Sequence, residues 1–286
     1  MGILAQKIDF TGVIIVQNAN PNGDPINGNR PRQDFDGTGI ISDVCLKRKI
    51  RDRLQDHGEL IFVQSDAKCI DGYKSLRERA FADSTIRKLA SAGRSNEDEF
   101  IDAACAKWCD VRMFGQVFAF RGASSSIGIR GPVSITFATS IDKIDIDTIQ
   151  ITKSTNGYDE GARKGHDTMG YRHYVRHAAY VFSGGIHPQL AEKTGFTDED
   201  ADKLQLAIMR MFDGDESKAR PAGSMELARL YWWRHSSRSG QYSPAVVQRS
   251  VHFEALDEWP YFVANETHLP GLKPEIYDLA HIGDIY

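Results

Sequence analysis

Two arginines in a polar loop, and a cluster of basic residues after it, are the side chains of this sequence best suited to bind an anion. Arg30 and Arg32 lie among Asn, Gly and Pro residues, and Lys47, Arg48 and Arg51 follow in a segment with a helical pattern. Guanidinium and ammonium groups neutralise phosphates, and free N–H groups at a helix N-terminus also suit them. The spacing predicts a polyanion site, with a solvated basic face as the alternative for the helix taken alone.

Three aspartates in the same loop suggest a second chemistry. Asp24, Asp34 and Asp36 are carboxylates of the kind that hold a divalent cation for phosphodiester hydrolysis. However, Asp34 and Asp36 alternate around Phe35, and two prolines constrain the chain near Asp24. We therefore predict that they are turn residues or partners of the two arginines, and metal-dependent cleavage is kept as the alternative.

The sequence predicts neither a cofactor nor a metal. It contains no G-x-x-x-x-G-K-[ST] phosphate loop, no H-E-x-x-H motif and no zinc quartet of cysteines. His173 and His177 are spaced as a metal pair could be, but ordinary polar or RNA-facing histidines are the favoured interpretation.

The elements that must position the basic residues begin with an apolar strand over residues 8–17. After the loop, a helix is predicted over residues 43–56 with Ser42 as its N-cap. The apolar stripe of this helix consists of Leu46, Ile50 and Leu54. The side chains expected in solvent are Lys47, Arg48 and Arg51, with Lys49 and Arg53 at the flanks.

A charged helical insertion beside a sheet is predicted in the middle of the chain. We expect a short strand at 59–65, mainly helix at 68–110, and the clearest strand at 132–140. In that strand, Val133, Ile135 and Phe137 alternate with Ser134 and Thr136. A Gly- and Ser-rich loop at 121–131 could bring backbone close to a phosphate, and a plain connecting loop is equally compatible.

In the second half, residues 144–172 predict a long hairpin-like protrusion with Met169 and Tyr171 as stacking or wedging residues. A strand at 174–186, a helix at 198–213 and a strand at 245–254 follow. The basic segment 218–249 carries interleaved aromatic residues, which predict base stacking or, alternatively, a core helix of aromatic residues with an exposed basic edge. These aromatic residues include Tyr231, Trp232 and Trp233. Without insertions, the order approximates β-α-β-β-α-β, an α+β fold with a ferredoxin-like or RRM-type sheet.

Charge and composition are compatible with a nucleic-acid-binding protein despite a net charge of −4 over 286 residues. Acidic residues are concentrated at 194–216 and 253–286, which leaves the remainder of the chain basic. We expect no signal peptide or membrane span, and the four cysteines suggest a reduced, cytoplasmic protein.

Several stretches resemble one family over most of the chain and in the expected order. The longest is N-P-N-G-D-P-I-N-G-N-R-P-R followed by G-T-G-I-I-S-D-V-C-L-K-R-K-I-R-D-R-L. D-V-R-M-F-G, G-P-V-S-I and M-G-Y-R-H-Y-V come later. They resemble the CRISPR RNA (crRNA)-binding backbone subunit of type I CRISPR surveillance complexes (Cascade), a RAMP-superfamily protein, most closely in type I-C.

The resemblance implies a single domain over residues 1–286, with an RRM-like palm, helical fingers at about 60–110 and a β-hairpin thumb at about 151–172. It also implies that copies stack head to tail along crRNA, together with other Cascade subunits, and present the crRNA to target DNA in antiviral defence. Such a subunit is not an enzyme, because a separately recruited nuclease-helicase cuts the target. Related type III subunits cut target RNA with a loop aspartate and a metal, and this is the alternative function.

Combined with the residue patterns, the resemblance implies a set of RNA-contacting residues, with Met169 as a wedge at the thumb tip. The predicted RNA-binding residues are Asn29, Arg30, Arg32, Lys47, Arg48, Lys49, Arg51, Ser124, Ser125, Arg130, Met169, Arg172 and His173.

Overall fold

A computed structural model describes residues 2–91, 96–120, 126–152 and 169–279. The strands in this part of the chain are β1 (Ile8–Ala19), β2 (Gly23–Asp24), β3 (Arg30–Pro31), β4 (Thr38–Ile41), β5 (Gly115–Phe118), β6 (Ile127–Arg130), β7 (Val133–Ile135), β8 (Ala138–Lys143), β9 (Ile146–Thr152), β10 (Met169–Ile186), β11 (Met225–Arg234), β12 (Val251–Ala255), β13 (Phe262–Glu266) and β14 (Glu275–Asp278). The helices are α1 (Asp43–Asp56), α2 (Leu76–Ala82), α3 (Ser84–Ser91), α4 (Glu97–Lys107), α5 (Cys109–Phe114), α6 (Pro188–Thr194), α7 (Asp198–Met209) and α8 (Pro244–Arg249).

A large antiparallel sheet with the order β14-β11-β1-β10-β8-β4 organises the fold, and β7 and β9 also pair with β10. The central strand β1 lies between β10 and β11, and its first nine residues are all buried. A continuous buried run is expected when both faces of a strand are covered. Helices together with a large antiparallel sheet agree with the predicted α+β class.

Alternate residues of β1 enter different cores, as the two-residue period of a strand requires. Ile14 packs in the cluster that includes α1 and α7, whereas Val13 and Ile15 pack with Phe262 of β13. The predicted stripe of α1 is confirmed, because Leu46, Ile50 and Leu54 are each at most 2% exposed.

A separate apolar cluster forms between α2, α3, α4 and the β5–β6 hairpin. Its largest side chains are Phe62, Phe100, Trp108 and Phe118. The strand predicted at 59–65 is wrong. The Asp110 carboxylate accepts the backbone N–H groups of Phe62 and Val63, at 2.7 and 3.1 Å, so these groups do not join a strand ladder.

The base-stacking prediction is wrong for Tyr231, Trp232 and Trp233. They are buried, as the alternative predicted, but on a strand rather than on a helix. Tyr231, Trp232 and Trp233 lie on β11 and are each at most 1% exposed. Both faces of β11 are covered, so consecutive aromatic residues are buried on opposite sides. Trp232 stacks on Phe10 at 5.2 Å between ring centroids, and Tyr231 stacks on Trp233 at 5.7 Å.

Two other strand predictions are corrected in part. Residues 132–140 form two strands, β7 and β8, rather than one. Residues 245–254 begin as helix α8 and become strand only from Val251 onwards. Pro244 explains the helix start, because proline suits the first position of a helix, where its missing N–H costs nothing.

The stem of the predicted protrusion is an antiparallel pair of β9 and the first part of β10, from Thr152 opposite Met169 to Ile146 opposite Val175. Residues 153–168, which include most of the predicted tip, lie outside the described residues. In the part of the chain that the structure covers, no helix is long and apolar enough to cross a membrane.

Candidate nucleic-acid interface

The loop that carries Arg30 and Arg32 is held in place by its own polar residues. The Asp24 side chain accepts a hydrogen bond from the N–H of Ile26 at 3.3 Å and caps a 3₁₀ turn over Pro25–Asn27. Asn29 then adopts a left-handed conformation with φ of 60°, which asparagine tolerates better than most residues. A Cβ atom at Gly23 would lie 2.0 Å from the Asn29 side chain, so a larger residue at position 23 would require that side chain to move.

Three segments distant in sequence surround a groove of about 590 Å³, which we call the stem groove. They are the loop after β1, the hairpin stem of β9 and β10, and the segment before β11. The residues that line the groove are Asn20, Gly28, Asn29, Ile151, Tyr171, Arg172, His173, Ser217, Lys218, Ala219 and Pro221. The structure therefore brings together the predicted residues Asn29, Arg172 and His173.

Arg30 connects the loop to the hairpin stem. Its Nη1 atom lies 3.5 Å from both Thr148 Oγ1 and His173 Nδ1, and these two atoms are 2.8 Å apart. These contacts place the guanidinium at the edge of the stem groove. Thr148 on β9 was not predicted, since its part in the site depends on a cross-strand pairing with His173.

The stem groove has the electrostatic character of an anion site. Arg172 and Lys218 line it, Arg30 borders it, and the described lining residues include no carboxylate. Tyr171 and Ile151 add apolar surface, because they are 67% and 48% exposed. Cations beside an exposed aromatic ring are the combination that single-stranded nucleic acids use for backbone neutralisation and base stacking.

Lys218 and Asn20 were missed as site residues by the sequence analysis. The N–H of Asn20 donates to the carbonyl of Ala219 at 2.8 Å, which joins the end of β1 to the segment before β11. The basic character of residues 218–249 was a usable signal for Lys218. Its proximity to the loop was not visible, because the two segments are about 200 residues apart in sequence.

The prediction that Arg51 points into solvent is wrong, and Lys49 is also buried. Lys49 is 4% exposed and pairs with Asp215, which also binds Arg220. Burial lowers the pKa of Lys49, and Asp215 opposes this shift. Arg51 donates from Nε to Asp110 at 2.9 Å, and its side chain is 12% exposed. Both cations are therefore occupied by internal carboxylates, and we assign them to the fold.

The other two basic residues of α1 remain accessible but already have partners. Lys47 pairs with Asp43 at 3.0 Å, and Arg48 pairs with Asp52 at 2.8 Å and is 45% exposed. Pairs of this kind one helical turn apart contribute only a few tenths of a kcal/mol, roughly, so a phosphate could displace the carboxylate.

The remaining predicted residues are not brought to the stem groove by the described structure. Arg130 lines a different groove, which it shares with Asp98 and Asp102 of α4. Ser124 and Ser125 lie outside the described residues. The backbone of Met169 pairs with Thr152 at the end of the hairpin stem.

The loop aspartates have structural partners, as predicted for turn residues. Asp24 pairs with Arg32 at 3.6 Å, and Asp34 accepts the N–H of Phe35 at 2.8 Å. Asp36 accepts both the N–H and the hydroxyl of Thr38, and these hydrogen bonds lower its pKa. Among the described residues, no group of three or more His, Cys, Asp or Glu side chains is arranged to hold a metal ion.

A protein-family model described as "CRISPR-associated protein Cas7" matches residues 6–267, nearly the whole chain. The chain belongs to the Cas7 family. A relative from Haloferax volcanii, "CRISPR-associated protein Cas7", is 30% identical over an alignment of 239 residues, and 75% of this chain and 66% of that protein are covered. The chain thus spans about two thirds of the length of this relative. Membership in the Cas7 family agrees with the resemblance noted in the sequence.

A solved structure described as "CRISPR RNA-guided surveillance complex, pre-nicking" contains a similar chain. Its TM-score is 0.51, and the two chains are 14% identical, with 79% of this chain and 78% of that chain covered. The shared fold is consistent with membership in the Cas7 family.

Proposed function

We propose that this Cas7-family protein is a non-catalytic backbone subunit of a CRISPR surveillance complex and that it binds crRNA in the stem groove. The observation that carries the proposal is the groove itself, where Arg30, Arg172 and Lys218 from three separate segments converge without an opposing carboxylate among the described lining residues. Convergent cations in a groove without a carboxylate among its described lining residues are suited to a phosphate backbone.

In this proposal, copies of the protein stack head to tail along crRNA in the cytoplasm and present its bases to target DNA, together with other Cascade subunits of type I-C. The central sheet would serve as an RRM-like palm, residues at about 60–110 as fingers and those at about 151–172 as a thumb. Phosphate contacts would supply most of the affinity, and base pairing would supply the choice of target. A separate nuclease-helicase would cut the target.

The material bound to the purified protein tests this proposal. Expressed in cells together with a CRISPR array and its processing enzyme, the protein should retain small RNAs with repeat-derived ends, which sequencing would identify. A preparation that carries no RNA, or only RNA of random cellular origin, would contradict the proposal. The matched comparison is a variant with alanine at Arg30, Arg172 and Lys218, which should lose this RNA while staying folded.

We also predict that the protein does not cut RNA or DNA in the presence of Mg²⁺ or Mn²⁺. Asp24, Asp34 and Asp36 already serve the loop backbone or Arg32, and a metal would have to displace those contacts. The measurement is gel analysis of labelled crRNA paired with complementary RNA or DNA. Regularly spaced products that vanish when one of these aspartates becomes alanine would favour the metal-dependent endonuclease instead.

A further inference from the structure

A second groove, which we call the loop groove, lies on the other side of Arg30 and has a different chemical character. Its volume is about 340 Å³, and its walls include Arg30, Arg32, Asp24, Asp43 and Phe137. Arg30 also contacts His173 in the wall of the stem groove, so the two grooves lie next to each other at this side chain. A chain of nucleotides in the stem groove would therefore pass directly beside the loop groove.

Phe137 reaches the loop groove because the sheet is interrupted next to it. Ile135 of β7 pairs with Gly184, and Thr139 of β8 pairs with Val181, so the three residues between Ile135 and Thr139 face only two residues of β10. This is a β-bulge, a feature that re-aims side chains and is frequent near functional sites.

The bulge reverses the alternation of buried and exposed residues. Ile135 is 7% exposed and Ala138 is buried, but both Thr136 and Phe137 point outwards, and Phe137 is 56% exposed. Without the bulge, Phe137 would lie on the same face as Val133 and Ile135, since the sequence pattern alternates these three residues with Ser134 and Thr136. The local structure thus leaves a phenyl ring at the surface of a polar groove, although burying it would be favourable by roughly 2 kcal/mol.

The charges of the loop groove do not favour a phosphate. Two arginines and two aspartates line it, and Arg32 already lies 3.6 Å from Asp24, so the groove has no net charge to attract an anion. It does offer both donors and acceptors, since the guanidinium groups donate and the carboxylates accept. The edge of a nucleobase carries this same mixture, and its flat face can stack on an aromatic ring.

We propose that the loop groove holds one nucleobase of the bound RNA, stacked on Phe137, while the adjoining phosphates lie in the stem groove. This inference rests on the proposed function. The volume of the groove is near the lower end of the range for small-ligand pockets, which suits a single base with its ribose.

The test is a comparison of Phe137→Ala, Phe137→Leu and Phe137→Trp with the unmodified protein. Each is titrated with a single-stranded RNA oligonucleotide that contains 2-aminopurine, whose fluorescence is quenched by stacking. The alanine and leucine variants should bind about 5- to 150-fold more weakly, the range for one stacked base, with reduced quenching. The tryptophan variant should retain both affinity and quenching. The salt dependence should stay unchanged in all three, because stacking releases no counterions.

Phe35→Ala is the matched control, since Phe35 lies on the same loop and is 99% exposed but does not line the groove. An equal loss in this control, or unweakened binding by Phe137→Ala, would overturn the proposal. Full RNA affinity in Phe137→Leu would also overturn it and would favour an apolar side chain of a protein partner as the occupant. If the unmodified protein bound no RNA, the proposed function would fail and this inference with it. All variants should keep the melting temperature of the parent, because Phe137 is exposed.

Discussion

Alanine at Arg30, Arg172 and Lys218 together is expected to weaken binding of single-stranded RNA by about 100-fold or more, since each charge-assisted contact contributes about 1 kcal/mol or more. The three cations come from the loop, the hairpin stem and the segment before β11, and they converge on one groove. No carboxylate lies among the described residues that line this groove, so the groove itself holds no acidic competitor for phosphates.

Salt dependence distinguishes a phosphate role from a general loss of positive charge. Each lost phosphate contact should flatten the plot of log affinity against log salt by about 0.7, so the triple variant should lose about 2 from this slope. Filter binding at several salt concentrations measures both quantities. The matched control replaces Arg87, Lys88 and Arg238 by alanine, which removes the same charge from exposed positions outside the groove.

The control should change the affinity by a small factor and leave the salt slope nearly intact. A triple variant with an unchanged slope would show that the stem groove does not hold phosphates. Equal losses in the variant and the control would instead indicate a diffuse attraction to the basic surface. Thermal unfolding of all samples should be similar, because the three cations of the groove bind no buried carboxylate among the described residues.

Local sequence patterns predicted the frame of this site well. The Ser42 hydroxyl accepts the N–H of Cys45 at 3.2 Å, which confirms the predicted N-cap, and α1 spans the predicted residues. The strand before the loop and the stem after it also lie where alternation and apolar runs placed them. Such features depend on neighbours within a few residues, so a single sequence is sufficient to find them.

Side-chain partners that are distant in sequence were not predictable in the same way. A helical projection places Arg51 opposite Leu46, but it contains no information on Asp110, which occupies the space beside that face of α1. The same limit applies to Lys49 and Asp215. The exposure of Phe137 was not predictable either, because a bulge depends on the register between neighbouring strands rather than on the residues of one strand.

Replacing Asp110 by alanine should destabilise the protein by about 3–5 kcal/mol, the usual cost of leaving one member of a buried ion pair alone. Asp110 is 1% exposed and accepts three hydrogen bonds, from Arg51 and from the N–H groups of Phe62 and Val63. Without it, the Arg51 guanidinium and the N–H groups of Phe62 and Val63 would lose their acceptor in a region with little water. Urea unfolding measures the effect.

Two further variants separate the ion pair from the backbone contacts and from RNA binding. Arg51→Ala should cost less than Asp110→Ala, because the carboxylate would keep its two backbone donors. It should also leave the salt slope of RNA binding unchanged, since Arg51 is held by Asp110 and does not line the stem groove.

Asp147→Ala is the control, because Asp147 also pairs with an arginine but is 50% exposed, so its loss should cost about 0.5 kcal/mol or less. A change of less than about 1 kcal/mol for Asp110→Ala, or a flatter salt slope for Arg51→Ala, would contradict the structural role of this pair and return Arg51 to the RNA-binding face.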